Sequence, residues 1–344
     1  MVLENPDSEE FSAKLAVVGL GGQGSNLINR LYNSGIKSAA TFAFNTDAKH
    51  LNIVSAHRKL LLGKSITNGL GAGGYPEIGA KAADASRTEI TNLLQGYDLV
   101  FLAAGMGGGT GGGSAPVVAQ IAREQGSLVV AFVTYPFALE RSRKTKADWS
   151  LQQLTKNADT TIIIENDRLL SYAPNLPMEK AFELIDNITA NAVKGIADTI
   201  MLPSLINLDY ADVRTVMRDA GAAVINIGTG NGSDRVEHAI KSTRSHPLLN
   251  VDTTGAKSAM VHVTGGTSLT IDEATRVGAG VTEDLDAKAN VIFGARLMPD
   301  MGDQLRVMSI ITGVKPRLGQ GIPEPRGYDS KYAASDLNLG LELI

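Results

Sequence analysis

The stretch Gly105-Met106-Gly107-Gly108-Gly109-Thr110-Gly111-Gly112-Gly113-Ser114 constrains this chain more than any other. It follows Asp98-Leu99-Val100-Phe101-Leu102-Ala103-Ala104, an apolar run that reads as a buried strand. It precedes Ala115 to Glu124, which reads as a helix with Pro116 in its first turn. A strand, a turn with few side chains and a helix start together expose several backbone N–H groups to one anion. The helix dipole adds further attraction for phosphate. A flexible linker shares this composition, but linkers are rarely wedged between a buried strand and a helix. By this reading the stretch is a nucleotide-binding loop.

Two further glycine loops precede it. Lys14 to Gly19 reads as a short strand, and Gly19-Leu20-Gly21-Gly22-Gln23-Gly24 turns into a helix over Ser25 to Leu31, matching G-x-G-x-x-G in its strand–turn–helix context. A second strand, Thr41 to Phe44, ends in Asn45-Thr46-Asp47. An acidic residue at that distance is what a dinucleotide-binding unit shows, so a nicotinamide enzyme stays open at this point. Gly63-Lys64-Ser65 ends like a Walker A loop, but Arg58 stands where its first glycine should be, and the match is discarded. Gly69-Leu70-Gly71-Ala72-Gly73-Gly74 leads through Tyr75-Pro76-Glu77 into a predicted helix from Ile78 to Leu94. A dinucleotide enzyme usually needs one such loop, whereas a triphosphate lying across several strand ends can use more.

Composition narrows the class. The chain has 344 residues, 43% hydrophobic and 20% charged, which suggests a globular protein of two domains. A net charge of -4 gives no global basic field for nucleic acid. The absence of cysteine excludes a disulfide framework and thiolate metal sites, and the five scattered histidines argue against a metal site. The polar, acidic start does not resemble a signal peptide, and no apolar run approaches the ~20 residues that span a bilayer. Direct membrane insertion is therefore not expected.

Ser127 to Thr134 and Thr160 to Asn166 read as further strands, completing an alternation of strands and helices typical of a parallel sheet. After Tyr135-Pro136-Phe137, cations cluster in Glu140-Arg141-Ser142-Arg143-Lys144-Thr145-Lys146, either as a solvated helix start or as a reach towards a terminal phosphate. A long helix is predicted over Pro177–Ile200 from its i, i+3/i+4 apolar spacing. On it Phe182 and Asp186 lie one turn apart, an aromatic and a carboxylate that suit guanine; the plain alternative is a core Phe beside a solvated Asp. Asp209 and Asp212 share one face at a helix start, where carboxylates also serve simply as caps, and Gly221 is expected to end that helix. Strands near 223–228, 258–263, 290–294 and 305–311, with helices near 235–243 and 271–285, form a second domain. From Lys315 the chain turns polar, ending in an apolar-acidic tip that suits partner binding, or simply frays.

These residues resemble the FtsZ family, the prokaryotic relatives of tubulin, over roughly residues 13 to 314. Gly107-Gly108-Gly109-Thr110-Gly111-Gly112-Gly113 is similar to the family signature, departing only at Gly112, where the family usually has Ser or Thr. Asn45-Thr46-Asp47, Gly71-Ala72-Gly73-Gly74 and Asn207-Leu208-Asp209-Tyr210-Ala211-Asp212-Val213 resemble further family motifs in the same order. The resemblance implies an α/β fold: a Rossmann-like GTP-binding domain (13–176), a central helix (177–202), a catalytic loop with its helix (203–219), and a smaller α+β domain (220–314). Residues 1–12 and 315–344 would flank these as flexible ends.

The same resemblance implies GTP and GDP as ligands, with Mg²⁺ held mainly by phosphates and water. Gly21, Gly22, Gln23, Gly105, Gly107, Gly108, Gly109, Thr110, Gly111 and Gly112 would bind phosphates, with Ala72, Gly73 and Gly74 near the γ-phosphate. Asn45, Asp47 and Pro136 would complete the nucleotide site. Asn166, Phe182 and Asp186 would take guanine, and Glu140 the ribose. The family's phosphate-contacting arginine falls on Lys144, with Arg143 adjacent. Asn207, Asp209 and Asp212 would be catalytic in the next subunit's site, so that hydrolysis depends on head-to-tail assembly. A polymerising GTPase of the mid-cell division ring in the cytoplasm follows. A cell-shape protein of the same superfamily is the alternative, and the acidic Leu-rich tip leans towards an archaeal-type member with a SepF-like membrane anchor. A dehydrogenase would explain the first loop and Asp47 only.

Overall fold

The computed structural model describes residues 13–168, 175, 177–244 and 252–314. The expectations for residues 1–12 and for the tail 315–344 lie outside them. Strands β1 (Leu15–Leu20), β2 (Ala40–Asn45), β3 (Arg58–Leu61), β4 (Leu99–Gly105), β5 (Leu128–Tyr135) and β6 (Thr160–Glu165) form a parallel sheet in the order β3-β2-β1-β4-β5-β6. β1, β4 and β5 are buried almost throughout, because helices cover both faces. The helices are α1 (Gly21–Asn33), α2 (Ala48–Ile53), α3 (Lys64–Thr67), α4 (Pro76–Ala85), α5 (Arg87–Leu94), α6 (Gly109–Glu124), α7 (Arg141–Asn157), α8 (Met178–Met201), α9 (Tyr210–Met217), α10 (Arg235–Arg244) and α11 (Ile271–Val281).

Alternate residues of β1 sort the core. Val17 joins Leu27, Ile28, Phe101, Ile185 and Ile196 on the face covered by α1 and α8. Ala16 and Val18 join Leu94, Val118, Ile121 and Leu154 on the face covered by α5, α6 and α7. The chain order reverses between β1 and β4, so the loops after these two strands diverge to opposite faces. That crevice at the carboxyl ends of parallel strands is where α/β sheets receive ligands.

The sheet does not stop at β6. β7 (Gly221–Gly230) runs parallel to it through three residue pairs, Thr160–Gly221, Thr161–Ala222 and Ile162–Ala223. β10 (Leu305–Thr312) is antiparallel to both β7 and β8 (Ser258–Gly265), and β9 (Asn290–Leu297) closes the edge parallel to β8. The expected second domain is thus the continuation of one ten-stranded sheet. α10 and α11 cover one of its faces, where Val236, Val277, Val263 and Val307 meet. The opposite face, with Met260, Met308 and Ile310, joins the core under α8.

Several boundaries differ from the sequence expectations, among them the start of α1, at Gly21 rather than Ser25. Most of the glycine stretch is helix rather than turn: α6 begins at Gly109, which leaves Pro116 inside it. Packing outweighs the poor helix propensity of glycine here. A β-carbon at Gly113 would lie 1.9 Å from Pro76 O, and one at Gly79 would lie 2.1 Å from Gly109 O, so α4 and α6 touch backbone to backbone. The helix predicted over 78–94 breaks at Ser86, whose hydroxyl accepts from Gly63 N–H at 3.0 Å. Gly221 opens β7 rather than ending a helix; α9 ends at Met217, and Asp219, at φ +50°, makes the turn. The helix expected to run to Leu285 stops at Val281.

One ion pair ties the second half together. Arg235 Nε and Nη2 donate to Glu273 Oε1 and Oε2 at 2.7 and 2.8 Å, and Glu273 also closes a capping box with Thr270 at the start of α11. The Arg235 guanidinium and these hydrogen bonds hold the Glu273 carboxyl down at about 2. Because that value lies below the unfolded one, its stabilisation is full above about pH 4.5 and is lost as pH falls towards 2. Glu273→Gln should cost roughly 2–3 kcal/mol in urea unfolding at pH 7. The gap between variant and parent should shrink steadily below pH 4.5.

Candidate functional site

The three glycine loops converge at the carboxyl ends of β1, β2 and β4. α1 starts at Gly21, directly after β1, and a β-carbon on Gly21 would sit 2.9 Å from Gly111 N. The loops after β1 and β4 therefore touch. Thr46, after β2, meets Thr110 hydroxyl to hydroxyl at 2.6 Å, which joins the third strand end to the same point. Asn45 and Asp47 are held by local bonds: Asp47 caps α2 by accepting from His50 N–H, and Asn45 Oδ1 accepts from Asp47 N–H. Gln23 turns its side chain onto β5, where Thr134 donates to Gln23 Oε1 at 2.7 Å, leaving its backbone at the helix start.

What this assembly offers an anion is N–H groups. The first four amides of α1 and of α6 have no intrahelical acceptor. Among the described residues no backbone or side-chain acceptor meets the amides of Ala72, Gly73 or Gly74 either. Gly71, Gly73 and Gly74 all take positive φ, which turns this short segment back on itself beside α6. Ala72 is buried against Gly109: a β-carbon there would come within 2.9 Å of the alanine methyl. Gly105 ends β4, Gly107 and Gly108 make the turn that follows, and Gly111 lies in the first turn of α6.

Gly112 points elsewhere. A β-carbon on it would lie 2.5 Å from Ser150 Oγ on α7, a fully buried hydroxyl with no partner among the described residues. The departure from the family signature therefore alters the contact between α6 and α7 and leaves the backbone of the turn as it is. Gly112→Ser should lower stability by roughly 1–3 kcal/mol through overpacking. Adding Ser150→Gly should recover most of that loss in the same urea titration.

The cations sort differently from the sequence expectation. Arg143 Nη1 donates to Glu140 Oε1 at 2.5 Å, and Glu140 also accepts from Phe137 N–H. Lys144 lies 5.6 Å from the centre of the Tyr135 ring. Neither is free of local partners, so the geometry does not single out one of them. Sequence reasoning passed over Lys146, whose Nζ donates to Gly74 O at 2.7 Å. Its signal was present in the cation cluster, but only the fold brings residue 146 beside residue 74.

The residues expected at guanine gather beside α1. Phe182, 38% exposed, meets Phe137 edge-on at 6.0 Å. Asn166 is buried, its N–H donates to Tyr135 O at 3.0 Å, and its Oδ1 has no partner among the described residues. Asp186 is buried with Arg30 Nε 3.7 Å away, while Arg30 also donates to Asn187. Burial pushes the Asp186 carboxyl up to about 7, only partly opposed by Arg30. Arg30 is a second residue that sequence reasoning missed. A cavity of about 860 Å³ continues from Asn26, Arg30 and Phe182 along α8 to His262 and Arg306 on the extended sheet.

Asp209 and Asp212 stand at the far end of α8, which rises about 36 Å over its 24 residues. They form a capping box at the start of α9: Asp212 N–H donates to Asp209 Oδ1, and Asp209 N–H to Asp212 Oδ2. The second oxygen of each has no protein partner among the described residues. Asn207 is exposed beside them, with Leu202, Leu205 and Ile206 exposed nearby. No cluster of three or more His, Asp or Glu among the described residues is placed to hold a metal.

The chain matches two family profiles: the Tubulin/FtsZ family GTPase domain over residues 14–174, and the FtsZ family C-terminal domain over residues 221–315. It is 53% identical over 311 residues to "Cell division protein FtsZ 2" of Methanocaldococcus jannaschii, covering 89% of this chain and 82% of that protein. It is 49% identical over 313 residues to the protein of the same name from Haloferax volcanii, covering 91% and 78%. Among solved structures, an empty FtsZ dimer from M. jannaschii superposes with a TM-score of 0.84 at 42% identity, covering 94% of this chain and 100% of that one. The chain belongs to the FtsZ family of cell-division GTPases.

Proposed function

We propose that this protein is a GTPase that assembles head to tail, each subunit completing the hydrolytic site of its neighbour. The observation that carries this reading is the distance between two half-sites. One end of α8 holds the guanine residues and glycine loops, and the other holds two carboxylates that cannot reach them within the same subunit. Exposed apolar side chains flank both ends, Leu70 and Leu139 near the loops and Leu205 and Ile206 near the carboxylates. A contact joining unlike ends repeats without closing and yields a filament.

In the proposed site the phosphates lie against the amides that open α1 and α6, with the terminal phosphate towards Ala72, Gly73 and Gly74. Phe182 stacks on guanine, and Asp186 accepts from its N1–H and N2–H₂, a donor pair that adenine lacks. The partnerless Asn166 Oδ1 gives purine N–H a further acceptor, and Glu140 takes the ribose hydroxyls. Mg²⁺ would be carried by phosphate oxygens and water rather than by a dedicated protein cage. When bound it offsets the phosphate charge. Asp209 and Asp212 of the next subunit, each with one oxygen left by the capping box, orient a water in line with the γ-phosphate, with Asn207 beside them. The product filament would act at the cytoplasmic mid-cell division site. No helix among the described residues is long and apolar enough to cross a membrane. In this proposal the tail binds a SepF-like adaptor that attaches the filament to the membrane.

Phosphate release per subunit should switch on above a threshold protein concentration with GTP and stay absent with ATP. Asp212→Asn keeps an oxygen for the cap but loses the charge. It should leave the unfolding midpoint nearly unchanged while cutting turnover at least tenfold. A specific activity independent of concentration would show that each subunit hydrolyses alone. Guanine binding requires ionised Asp186, so GTP affinity should level off above pH 7 and weaken as pH falls below it, approaching tenfold per unit. Calorimetry in buffers of different ionisation enthalpy should detect the released proton, and Asp186→Asn should abolish it.

A further inference from the structure

The segment from Gly69 to Tyr75 is fastened unevenly. Its first half is sewn to β2 and α2: Ala48 N–H donates to Gly69 O and Gly71 N–H to Thr46 O, at 2.9 and 3.1 Å. Its second half, Gly73-Gly74, has consecutive positive φ values of 58° and 76°, no side chains, and amides without protein acceptors among the described residues. Two successive glycines lose more backbone entropy on ordering than any other pair. Something must offset that loss if these amides are to be held ready for a phosphate.

Tyr75 N–H closes the turn onto Ala72 O at 3.0 Å, and the side chain that grips it is Lys146. Its ammonium donates to Gly74 O at 2.7 Å and stands 4.9 Å from the centre of the Tyr75 ring, so one cation grips the turn and the residue after it. Among the described residues no carboxylate pairs with Lys146, in contrast to Arg143 on the same helix. Its charge is therefore spent on a carbonyl and a ring face. Pulling Gly74 O towards α7 fixes the Gly74–Tyr75 peptide plane and limits where the neighbouring amides can point. The amides so held belong to the one glycine loop assigned above to the terminal phosphate.

We propose that Lys146 is a positioning residue that sets the preference of this site for a nucleoside triphosphate over the diphosphate, by holding the Gly73–Gly74 turn through Gly74 O. The proposal rests on the nucleotide reading given above and adds to it the residue that distinguishes the two nucleotides. Guanine, ribose and the first two phosphates meet other parts of the site, so losing Lys146 weakens the triphosphate and spares the diphosphate. A residue with a merely structural role would weaken both alike.

The test is equilibrium binding of GTPγS and of GDP to the full chain, below any assembly threshold, for the parent, Lys146→Gln, Lys146→Arg and Tyr75→Leu. Lys146→Gln should weaken GTPγS about tenfold while GDP stays within about twofold. Lys146→Arg, which retains a cationic donor, should restore most of the difference, and Tyr75→Leu should lose part of it. Unchanged ratios in Lys146→Gln, or equal weakening of both nucleotides, would overturn the proposal. So would a parent protein that binds GTPγS and GDP with equal affinity. A parent that binds neither nucleotide would instead overturn the nucleotide reading itself. If Lys146→Gln fails to fold, the Tyr75→Leu ratio decides, and an unchanged ratio there refutes the grip.

Discussion

The contact between α4 and α6 allows no β-carbon at Gly79 or Gly113, and the rest of the candidate site hangs from it. Because the two helices meet backbone to backbone, the start of α6 is pressed under the segment that leads into α4. The Gly71–Gly74 loop is thereby brought over the helix whose first amides face the crevice. A larger residue at Gly79 or Gly113 would separate two glycine loops at once. Glycine at these places acts through the absence of volume, and its weak helix propensity is outweighed by packing on both sides.

The same contact explains what could and could not be read from the chain. Strands β1, β4 and β5 were legible because full burial demands uninterrupted apolar runs, and all three glycine loops were found because each breaks such a pattern. The start of α6 was misplaced because local rules count glycine against a helix, and only the neighbouring α4 reverses that balance. The continuity of the sheet was likewise hidden, since β6 and β7 are far apart in sequence and share three residue pairs.

Among the candidate site residues, those recognisable by type drew notice in the sequence, the aromatic and carboxylate on α8 and the aspartates that open α9, though each pair also had a plain structural reading. Arg30 and Lys146 were missed for a common reason. Each is an ordinary cation on an amphipathic helix, and its meaning lies in a partner more than 70 residues away in the chain. Asp209 and Asp212 show the opposite difficulty. Their mutual capping is a sufficient structural reason for both, so the motif looks complete as architecture. A further use for the remaining oxygens is part of the proposed function, and it is suggested by their separation from the loops along α8.

The narrow seam between β6 and β7 has a mechanical consequence. Elsewhere in the sheet the extended strands are joined by longer ladders, eight residue pairs between β10 and β7 for instance, whereas this join has three. Bending stiffness follows the number of bonds across a line, so the sheet is most compliant at that seam. α8 lies along the core face beside it, a rod spanning the soft line. Tension between the two ends of the subunit would be carried by the helix, while flexing would gather at the seam. The molecule is built like a strut with a flexure beside it.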